Sequence, residues 1–260
     1  MRFCSLASSS KGNCHIVYND NEILLVDMGI TLKDLEEKFC RLKLNMENIV
    51  GVVVSHEHGD HTRGILSLVR KYNVPVYCHQ DAADRIIEKC KISSLCIVRF
   101  KEMKFSIGNF AVEPFKVSHD VCCVGFNIYE KANKISIVTD LGYTTNEIVE
   151  KLFDSRLVVL EANHDEQMVI SGSYHPALKQ RVLSKVGHLS NINSAKVIAE
   201  LAQHGVRQVL LAHLSEENNT PTVCYSTICD YLESVGVVPN VNIKIDIAKP
   251  LGVGPIFRLE

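Results

Sequence analysis

The sequence predicts an α/β fold in which helices lie outside two β-sheets. Short runs of β-branched and aliphatic residues alternate along the chain with segments that have helical spacing. One pattern, a strand followed by Asp-x-Gly, also occurs twice, at Val26-Asp27-Met28-Gly29 and at Thr139-Asp140-Leu141-Gly142, as two similar halves facing each other would give. No low-complexity tract, long linker or abrupt change of composition interrupts the 260 residues. We therefore expect a single domain over residues 1–260.

Five predicted strands end next to a polar residue of a type that catalyses reactions or binds metals. The strands 23–26, 52–55, 135–139, 157–160 and 209–212 are followed by Asp27, His56, Asp140, Glu161 and His213. A buried strand that delivers its last side chain into a loop holds a reactive group on a rigid support. The repetition at five strand ends therefore indicates a functional site.

Between these strands, apolar residues recur at helical spacing. The predicted helices cover residues 32–42, 64–72, 82–90, 145–153, 194–203 and 223–235. Helices that alternate with strands in this way cover the outer faces of the sheets, which is the architecture we expect here.

The net charge excludes a protein that binds nucleic acid through an overall positive electrostatic field. Lysine and arginine number 28 and aspartate and glutamate 30, so the formal net charge at pH 7 is −2. A nucleic-acid partner would then need a local basic patch. Lys179, Arg181 and Lys185 form the patch that we expect to contact phosphates, and a solvated helix face is the alternative interpretation.

Neither a membrane span nor an export signal is predicted. The longest apolar stretches, such as residues 49–54, are about a third of the roughly 20 residues that cross a bilayer. Polar residues from Ser8 onward interrupt any signal core. The ten cysteines include no Cys-x-x-Cys pair, which suits reduced, buried thiols in the cytoplasm. We therefore expect a cytoplasmic protein, with a regulatory thiol at Cys122 or Cys123 as an alternative role for two of the cysteines.

The densest group of candidate metal ligands is Ser55-His56-Glu57-His58-Gly59-Asp60-His61. It directly follows a buried strand and adjoins a predicted helix. Extended backbone sends His56 and His58 to the same side, where they can share one cation. Gly59 allows the chain to turn, so that Asp60 and His61 face a second cation. A surface histidine cluster is the alternative, which the position after a strand disfavours.

Three further donors follow other predicted strands: His119, Asp140 and His213. A lone histidine is usually a core or surface residue, but the strand-end placement makes each of these a candidate ligand. Imidazole and carboxylate ligands without thiolate favour zinc, iron or manganese at a hydrolytic centre. A carboxylate such as Asp140 can bridge two cations about 3.5–4 Å apart, and such a pair can hold a hydroxide and clamp the oxygens of a displaced group.

This pattern resembles the metallo-β-lactamase superfamily, whose His-x-His-x-Asp-His signature is matched without a gap by His56, His58, Asp60 and His61. The resemblance extends from Asp27 through His213 and implies the four-layer αβ/βα sandwich. It also implies two divalent cations, with zinc expected and manganese or iron as alternatives. By this resemblance the first is held by His56, His58 and His119, the second by Asp60, His61 and His213, with Asp140 bridging and Asp27 orienting the signature loop.

Glu161-Ala162 and Gly187-His188-Leu189-Ser190 resemble the residues that phosphodiester-cleaving members of the superfamily place beside the metals. The segments 4–14, 161–165 and 174–191 are similar to the WalJ/YycJ subgroup of bacterial nuclease-like members. Ser9 and Ala162 depart from the glycine and serine frequent in that subgroup. The resemblance implies catalytic roles for Asp60, Glu161 and His188, with Glu161 orienting His188 so that it contacts a phosphate oxygen or protonates the leaving alkoxide. The expected substrate-binding residues are Ser8, Ser10, Asn13, His164, Lys179 and Arg181.

The expected function is a dinuclear metal-dependent phosphodiesterase, a nuclease resembling DNA exonucleases, in which a metal-bridging hydroxide attacks phosphorus. We expect the substrate to be DNA in preference to RNA, and we expect no membrane partner. A carbonyl-ester hydrolase, such as a glyoxalase-type thioesterase or a lactonase, is the main alternative. A mononuclear iron oxygenase of this fold is disfavoured by the complete second ligand set, and a noncatalytic module would need no complete set at all.

Overall fold

The computed structural model describes residues 1–259, which form two seven-stranded sheets with helices on their outer faces. The strands are β1 (Arg2–Ser9), β2 (Gly12–Tyr18), β3 (Ile23–Val26), β4 (Ile49–Val54), β5 (Val76–His79), β6 (Ile97–Phe100), β7 (Phe105–Ile107), β8 (Phe110–Val117), β9 (Cys123–Glu130), β10 (Asn133–Val138), β11 (Leu157–Glu161), β12 (Gln208–Ala212), β13 (Lys244–Ile247) and β14 (Ile256–Arg258). The α-helices are α1 (Leu32–Leu42), α2 (Gly59–Thr62), α3 (Ile65–Tyr72), α4 (Gln80–Cys90), α5 (Asn146–Leu152), α6 (Glu166–Ser171), α7 (Pro176–Val182), α8 (Asn191–Gln203) and α9 (Pro221–Ser234), and two 3₁₀ helices cover Met46–Asn48 and Ser94–Cys96.

The two sheets have matching topologies. In the first sheet the order is β14-β1-β2-β3-β4-β5-β6, and in the second it is β13-β12-β11-β10-β9-β8-β7. Strands β1 to β3 pair antiparallel and β3 to β6 parallel, while β7 to β10 pair antiparallel and β10 to β13 parallel. Each half of the chain thus builds an antiparallel part followed by a parallel part, and β14 returns to complete the first sheet.

Three buried apolar clusters separate the layers. One cluster packs helices α1, α3 and α4 against the first sheet and includes Leu35 and Phe39. A second packs α5, α8 and α9 against the other sheet and includes Ile198. The third lies between the sheets, where Phe3 of β1 and Phe126 of β9 are both buried. The order helix, sheet, sheet, helix confirms the predicted four-layer αβ/βα sandwich.

Local sequence explains where the long helices begin. Thr31 accepts a hydrogen bond from the backbone N–H of Asp34 at the start of α1, and Thr220 caps α9 with Pro221 as the first helical residue. All six predicted helices are present, with ends that differ by up to three residues. The short helices α2, α6 and α7 were not predicted.

The repeated Asp-x-Gly pattern has one structure in both halves. Asp27 and Asp140 take left-handed backbone conformations, with φ of 61° and 59°. A Cβ atom at Gly29 would lie 1.6 Å from the carbonyl oxygen of Asp60, and one at Gly142 would lie 2.3 Å from the backbone of Lys185. Glycine is therefore required at both positions, because each turn packs directly against another loop of the site.

Six of the ten cysteines are buried, and all ten are free thiols. No helix within residues 1–259 is both long enough and apolar enough to cross a bilayer.

Candidate metal centre and active site

Strand ends from both sheets meet at one edge of the sandwich. Asp27 follows β3, Ser55 and His56 follow β4, and Asp140 follows β10. Glu161 is the last residue of β11, and His213 follows β12 with φ of 55°. The parallel strands of each sheet all point their carboxyl ends this way, which is why five separate sequence segments deliver polar side chains to one place.

The first group of converging donors consists of His56, His58 and His119. One ring nitrogen of each lies within 4.8 Å of those of the other two, and Nε2 of His56 is 3.0 Å from Nδ1 of His58. Oγ of Ser55 lies 3.0 Å from Nδ1 of His56 and Sγ of Cys123 lies 3.6 Å from the same atom. The ring of His56 is thus fixed from behind, with Nε2 facing its neighbours.

The second group consists of Asp60, His61 and His213, whose donor atoms also lie within 4.8 Å of one another. Nε2 of His61 is 3.3 Å from Oδ2 of Asp140 and 3.5 Å from Oδ2 of Asp60. Donor atoms of Asp140, His56 and His61 also lie within 4.8 Å of one another. The carboxylate of Asp140 therefore lies between the two groups, where a bridging ligand would stand.

Several buried atoms of this centre have no hydrogen-bond partner within residues 1–259. They are Nδ1 and Nε2 of His119, Oδ2 of Asp140 and Nε2 of His213. Buried polar atoms without partners are costly. Lone pairs of imidazole and carboxylate that converge in this way fit divalent cations, which would satisfy them.

The pKa shifts of three of these histidines are consistent with a site that binds cations. Burial lowers the pKa of His56 well below its usual value and also lowers the pKa of His119. Both rings are thereby kept neutral, as metal ligands must be. Burial likewise lowers the pKa of His61, but the carboxylates of Asp140 and Asp27 outweigh it and raise the pKa well above the usual value. This negative environment, which attracts a proton to His61, would equally attract a cation.

Asp27 holds the loop of the histidine motif, residues 55–61, through hydrogen bonds at both of its ends. Its Oδ2 accepts a hydrogen bond from Nδ1 of His61 at 2.7 Å, and its Oδ1 accepts one from the backbone N–H of Ser55 at 2.8 Å. Because a carboxylate can only accept, the contact with Asp27 assigns a proton to Nδ1 of His61 and directs Nε2 toward the other donors of the centre. Nδ2 of Asn13 lies 3.0 Å from this Nε2.

Glu161 supports the other side of the centre and is fully buried. Its Oε1 accepts hydrogen bonds from Nδ1 of His188 at 2.9 Å and Nδ1 of His213 at 2.7 Å. Its Oε2 accepts from the backbone N–H groups of Leu141 and Leu189 at 3.1 and 3.0 Å. Burial raises the pKa of Glu161, but His188 and His213 outweigh it and lower the pKa to about 2. The carboxylate thus acts as a fixed anion that orients two imidazoles.

A cavity of about 350 Å³ opens onto the centre, and the residues in its wall are Ser10, His58, Gly59, Asp60, His119, Asp140, Arg181, His188 and His213. His188 lies in this wall, whereas Glu161 is behind it. Arg181 forms an ion pair with Asp120, whose Oδ1 is 3.2 Å from Nε2 of His119. A guanidinium, an imidazole and the candidate metal ligands therefore face one space.

The remaining predicted substrate-binding residues lie at different depths. Ser8 is buried, and its Oγ accepts a hydrogen bond from the backbone N–H of His213 at 2.8 Å. Asn13 is buried with Nδ2 3.3 Å from Oδ2 of Asp60. His164 is buried beside a neighbouring cavity. Lys179 is half-buried, and its Nζ donates to the carbonyl oxygen of Ile170 at 2.7 Å. Ser8 and Asn13 thus contact candidate metal ligands from behind and do not lie in the wall of the main cavity themselves.

Sequence reasoning did not assign roles to Ser55 or Asp120, and it considered Cys123 only as a regulatory thiol and not as a neighbour of His56. Ser55 contacts Asp27, His56 and His61 through its Oγ. Asp120 lies beside His58 and His119 and pairs with Arg181. The sequence offered one signal for each of these two residues. Asp120 directly follows His119, and Ser55 directly precedes the histidine motif.

Comparison with known proteins places this architecture in a family. A model of the Beta-lactamase superfamily domain matches residues 24–214. The chain is 34% identical over 240 residues to Exodeoxyribonuclease YycJ of Bacillus anthracis, covering 91% of this chain and 90% of that protein. It is 30% identical to Exodeoxyribonuclease WalJ of Streptococcus pneumoniae serotype 2, covering 99% and 98%.

Among solved structures, the metallo-β-lactamase fold protein YhfI from Bacillus subtilis superposes with a TM-score of 0.73 at 18% sequence identity, covering 99% of each chain. The domain match, the full-length relatives and the shared fold agree, and the chain belongs to the metallo-β-lactamase superfamily, in the group that contains YycJ and WalJ.

Proposed function

We propose that the chain is a nuclease that hydrolyses phosphodiester bonds in DNA, in the manner of an exonuclease. The observation that carries this proposal is His188, an imidazole in the wall of the cavity that is held by Glu161 and is additional to the seven candidate metal ligands. The names of the full-length relatives, both called exodeoxyribonucleases, support DNA as the substrate class.

Two divalent cations would be held by the residues that converge at the strand ends. The ligand set would be His56, His58 and His119 for one cation, Asp60, His61 and His213 for the other, and Asp140 for both. When bound, such cations neutralise phosphate charge and activate water at neutral pH. Zinc suits a site of imidazole and carboxylate ligands, and manganese or iron would also fit.

His188 would act on an oxygen of the substrate phosphate. Its Nδ1 donates to Glu161, so Nε2 is the ring atom available to the cavity. From there it can hydrogen-bond a phosphate oxygen and pass a proton to the leaving alkoxide. Glu161 is a positioning residue in this scheme, because it is buried behind His188 and reaches the cavity only through the imidazoles.

Arg181 would help to orient the phosphate. Its guanidinium lies in the cavity wall and is paired with Asp120 in the ligand-free chain. A guanidinium makes charge-assisted hydrogen bonds to phosphate oxygens. We therefore expect Arg181 to contribute to binding of the substrate more than to the bond-breaking step.

The test is a substrate panel with the purified protein loaded with zinc or manganese. Labelled single- and double-stranded DNA, RNA, a small aryl phosphodiester and a thioester are each incubated with the wild type and with Asp140→Asn. We expect DNA to be degraded from an end, with the Asp140→Asn variant inactive. Hydrolysis of the thioester without hydrolysis of any phosphodiester would contradict the proposal and favour carbonyl-ester chemistry.

A further inference from the structure

The catalytic cavity is flanked by a second, larger cavity that shares one wall residue with it. This neighbouring cavity measures about 480 Å³, and Gly59 lies in the wall of both. A Cβ atom at Gly59 would meet nothing within 4 Å, so no side chain or backbone crowds the position that the two cavities share. The two cavities therefore adjoin at Gly59, beside the candidate metal centre.

The wall of the neighbouring cavity is basic. It contains Arg63, Lys89 and Lys91, against one carboxylate, that of Glu57. Glu57 is buried and lies 2.9 Å from Nη1 of Arg85 and 3.7 Å from Nζ of Lys89. Its charge is thus already matched, and we call Arg63, Lys89 and Lys91 the basic flank.

Two cations of the basic flank have no anionic partner among the described residues. Within residues 1–259, neither Arg63 nor Lys91 lies within 4.0 Å of a carboxylate, and both side chains belong to exposed residues. Nη1 of Arg63 donates to the carbonyl oxygen of Lys11 at 2.8 Å, and Lys11 adjoins Ser10 in the wall of the catalytic cavity. Arg63 is therefore fixed at the junction of the two cavities.

The charge of the surroundings is different where His188 forms part of the catalytic cavity. There His188 is shared with a smaller cavity of about 230 Å³. The described residues in the wall of that smaller cavity include the carboxylate of Glu166 and the apolar side chains of Ile170 and Leu183, but no lysine or arginine. Lys179 and Lys196 contact the wall residues Ile170 and Asn193 of the smaller cavity but do not lie in its wall. The wall on the Gly59 side therefore offers three cations to successive phosphates of a polynucleotide, and the wall on the Glu166 side offers none.

We propose that the basic flank binds the sugar–phosphate backbone of a single DNA strand and leads it past Gly59 to the metal centre. This inference rests on the proposed nuclease function and adds the path of the strand. The strand end to be cleaved would then lie toward His188 and the smaller cavity. Contacts of this kind depend on charge and carry no sequence preference.

The test measures binding separately from hydrolysis. A fluorescent phosphorothioate-linked single strand, which resists cleavage, is titrated into the metal-loaded wild type and into Lys89→Gln/Lys91→Gln across a range of salt concentrations. The slope of log K against log salt is negative, and each lost phosphate contact makes it shallower by about 0.7 for a single strand. We expect the double variant to bind more weakly and its slope to be shallower by about 1.4.

The matched control is Lys33→Gln/Lys43→Gln on α1, because Lys43 and Lys91 both cap a helix in the left-handed conformation, with φ of 57° and 53°. This control should bind like the wild type, and hydrolysis of a small aryl phosphodiester should be the same in all three proteins. An unchanged affinity and slope in Lys89→Gln/Lys91→Gln would overturn the inference even if DNA is cleaved. Failure of the wild type to cleave any phosphodiester would overturn the proposed function instead, since the binding measurement needs no turnover.

Discussion

Nδ1 of His188 lies 2.9 Å from Oε1 of Glu161, a carboxylate that is completely buried. The same oxygen accepts from His213, and the other oxygen accepts from two backbone N–H groups. Glu161 therefore links a candidate metal ligand, a candidate proton donor and the loops that follow β10 and precede α8. A single buried charge therefore orients both imidazoles.

Glu161→Gln tests this link. The amide must turn its NH₂ group either toward the two imidazole N–H groups or toward the backbone N–H groups of Leu141 and Leu189, so donors face donors. We expect the free energy of unfolding to fall by about 1–3 kcal/mol and metal affinity or activity to fall by about 10- to 100-fold. Urea unfolding, metal analysis and the pH profile of kcat/KM measure these effects. The exposed Glu200→Gln on α8 is the control, and equal behaviour of the two variants would remove the positioning role.

Metal content is a second prediction. We expect two cations per chain at saturation, because a single cation would leave part of the buried donor set unpaired. Removal of metal by chelation should lower the unfolding temperature, and zinc or manganese should restore it, since a ligand that binds only the folded state stabilises it. Anomalous scattering that shows one full site and an ordered, metal-free second site would contradict this account.

His61→Ala separates metal binding from folding. The variant removes one donor of the second group and leaves the strands of both sheets intact. We expect turnover to be abolished and the metal content to fall, while circular dichroism stays that of the wild type. Retained activity with unchanged metal content would show that His61 is not a ligand.

The sequence allowed the fold class, five strand ends and the helices α1, α3, α4, α5, α8 and α9 to be predicted, because alternating periodicity and strand-terminal polar residues are local signals. Helices α6 and α7 each bury a single side chain, Val169 and Val182, so they lack the apolar period by which a helix is recognised. The contact between Glu161 and His213 joins residues that are distant in the chain, so only the fold reveals that Glu161 orients two rings. The placement of Asn13 against Asp60 and His61 is likewise tertiary.

A pH dependence of stability is expected from Glu113, which lies away from the metal centre. Burial raises its pKa, but hydrogen bonds from Lys151, Tyr129 and Asn127 outweigh this and lower the pKa to about 2. Because the folded pKa is below the unfolded value of about 4.3, this contribution is fully present above about pH 5 and is lost as the pH falls toward 2.

Glu113→Gln should therefore destabilise the protein at pH 7 and much less near pH 2.5. Urea unfolding of wild type and variant at both pH values gives the difference, with the exposed Glu150→Gln on α5 as control. A difference that is the same at both pH values would show that the charge of Glu113 is not what stabilises the fold.

The measurement that tests the central claim most directly is the effect of His188→Ala on phosphodiesters with good and poor leaving groups. His188 lies in the wall of the cavity, from which it can reach a substrate oxygen, and it is not among the seven residues that we propose as metal ligands. Both metals should therefore remain, and cleavage of DNA should fall by about 10² to 10⁴. An aryl phosphodiester, whose leaving group departs without a proton, should be affected far less. Equal losses for both substrates, with normal metal content, would contradict the role of His188 and the phosphodiester chemistry built on it.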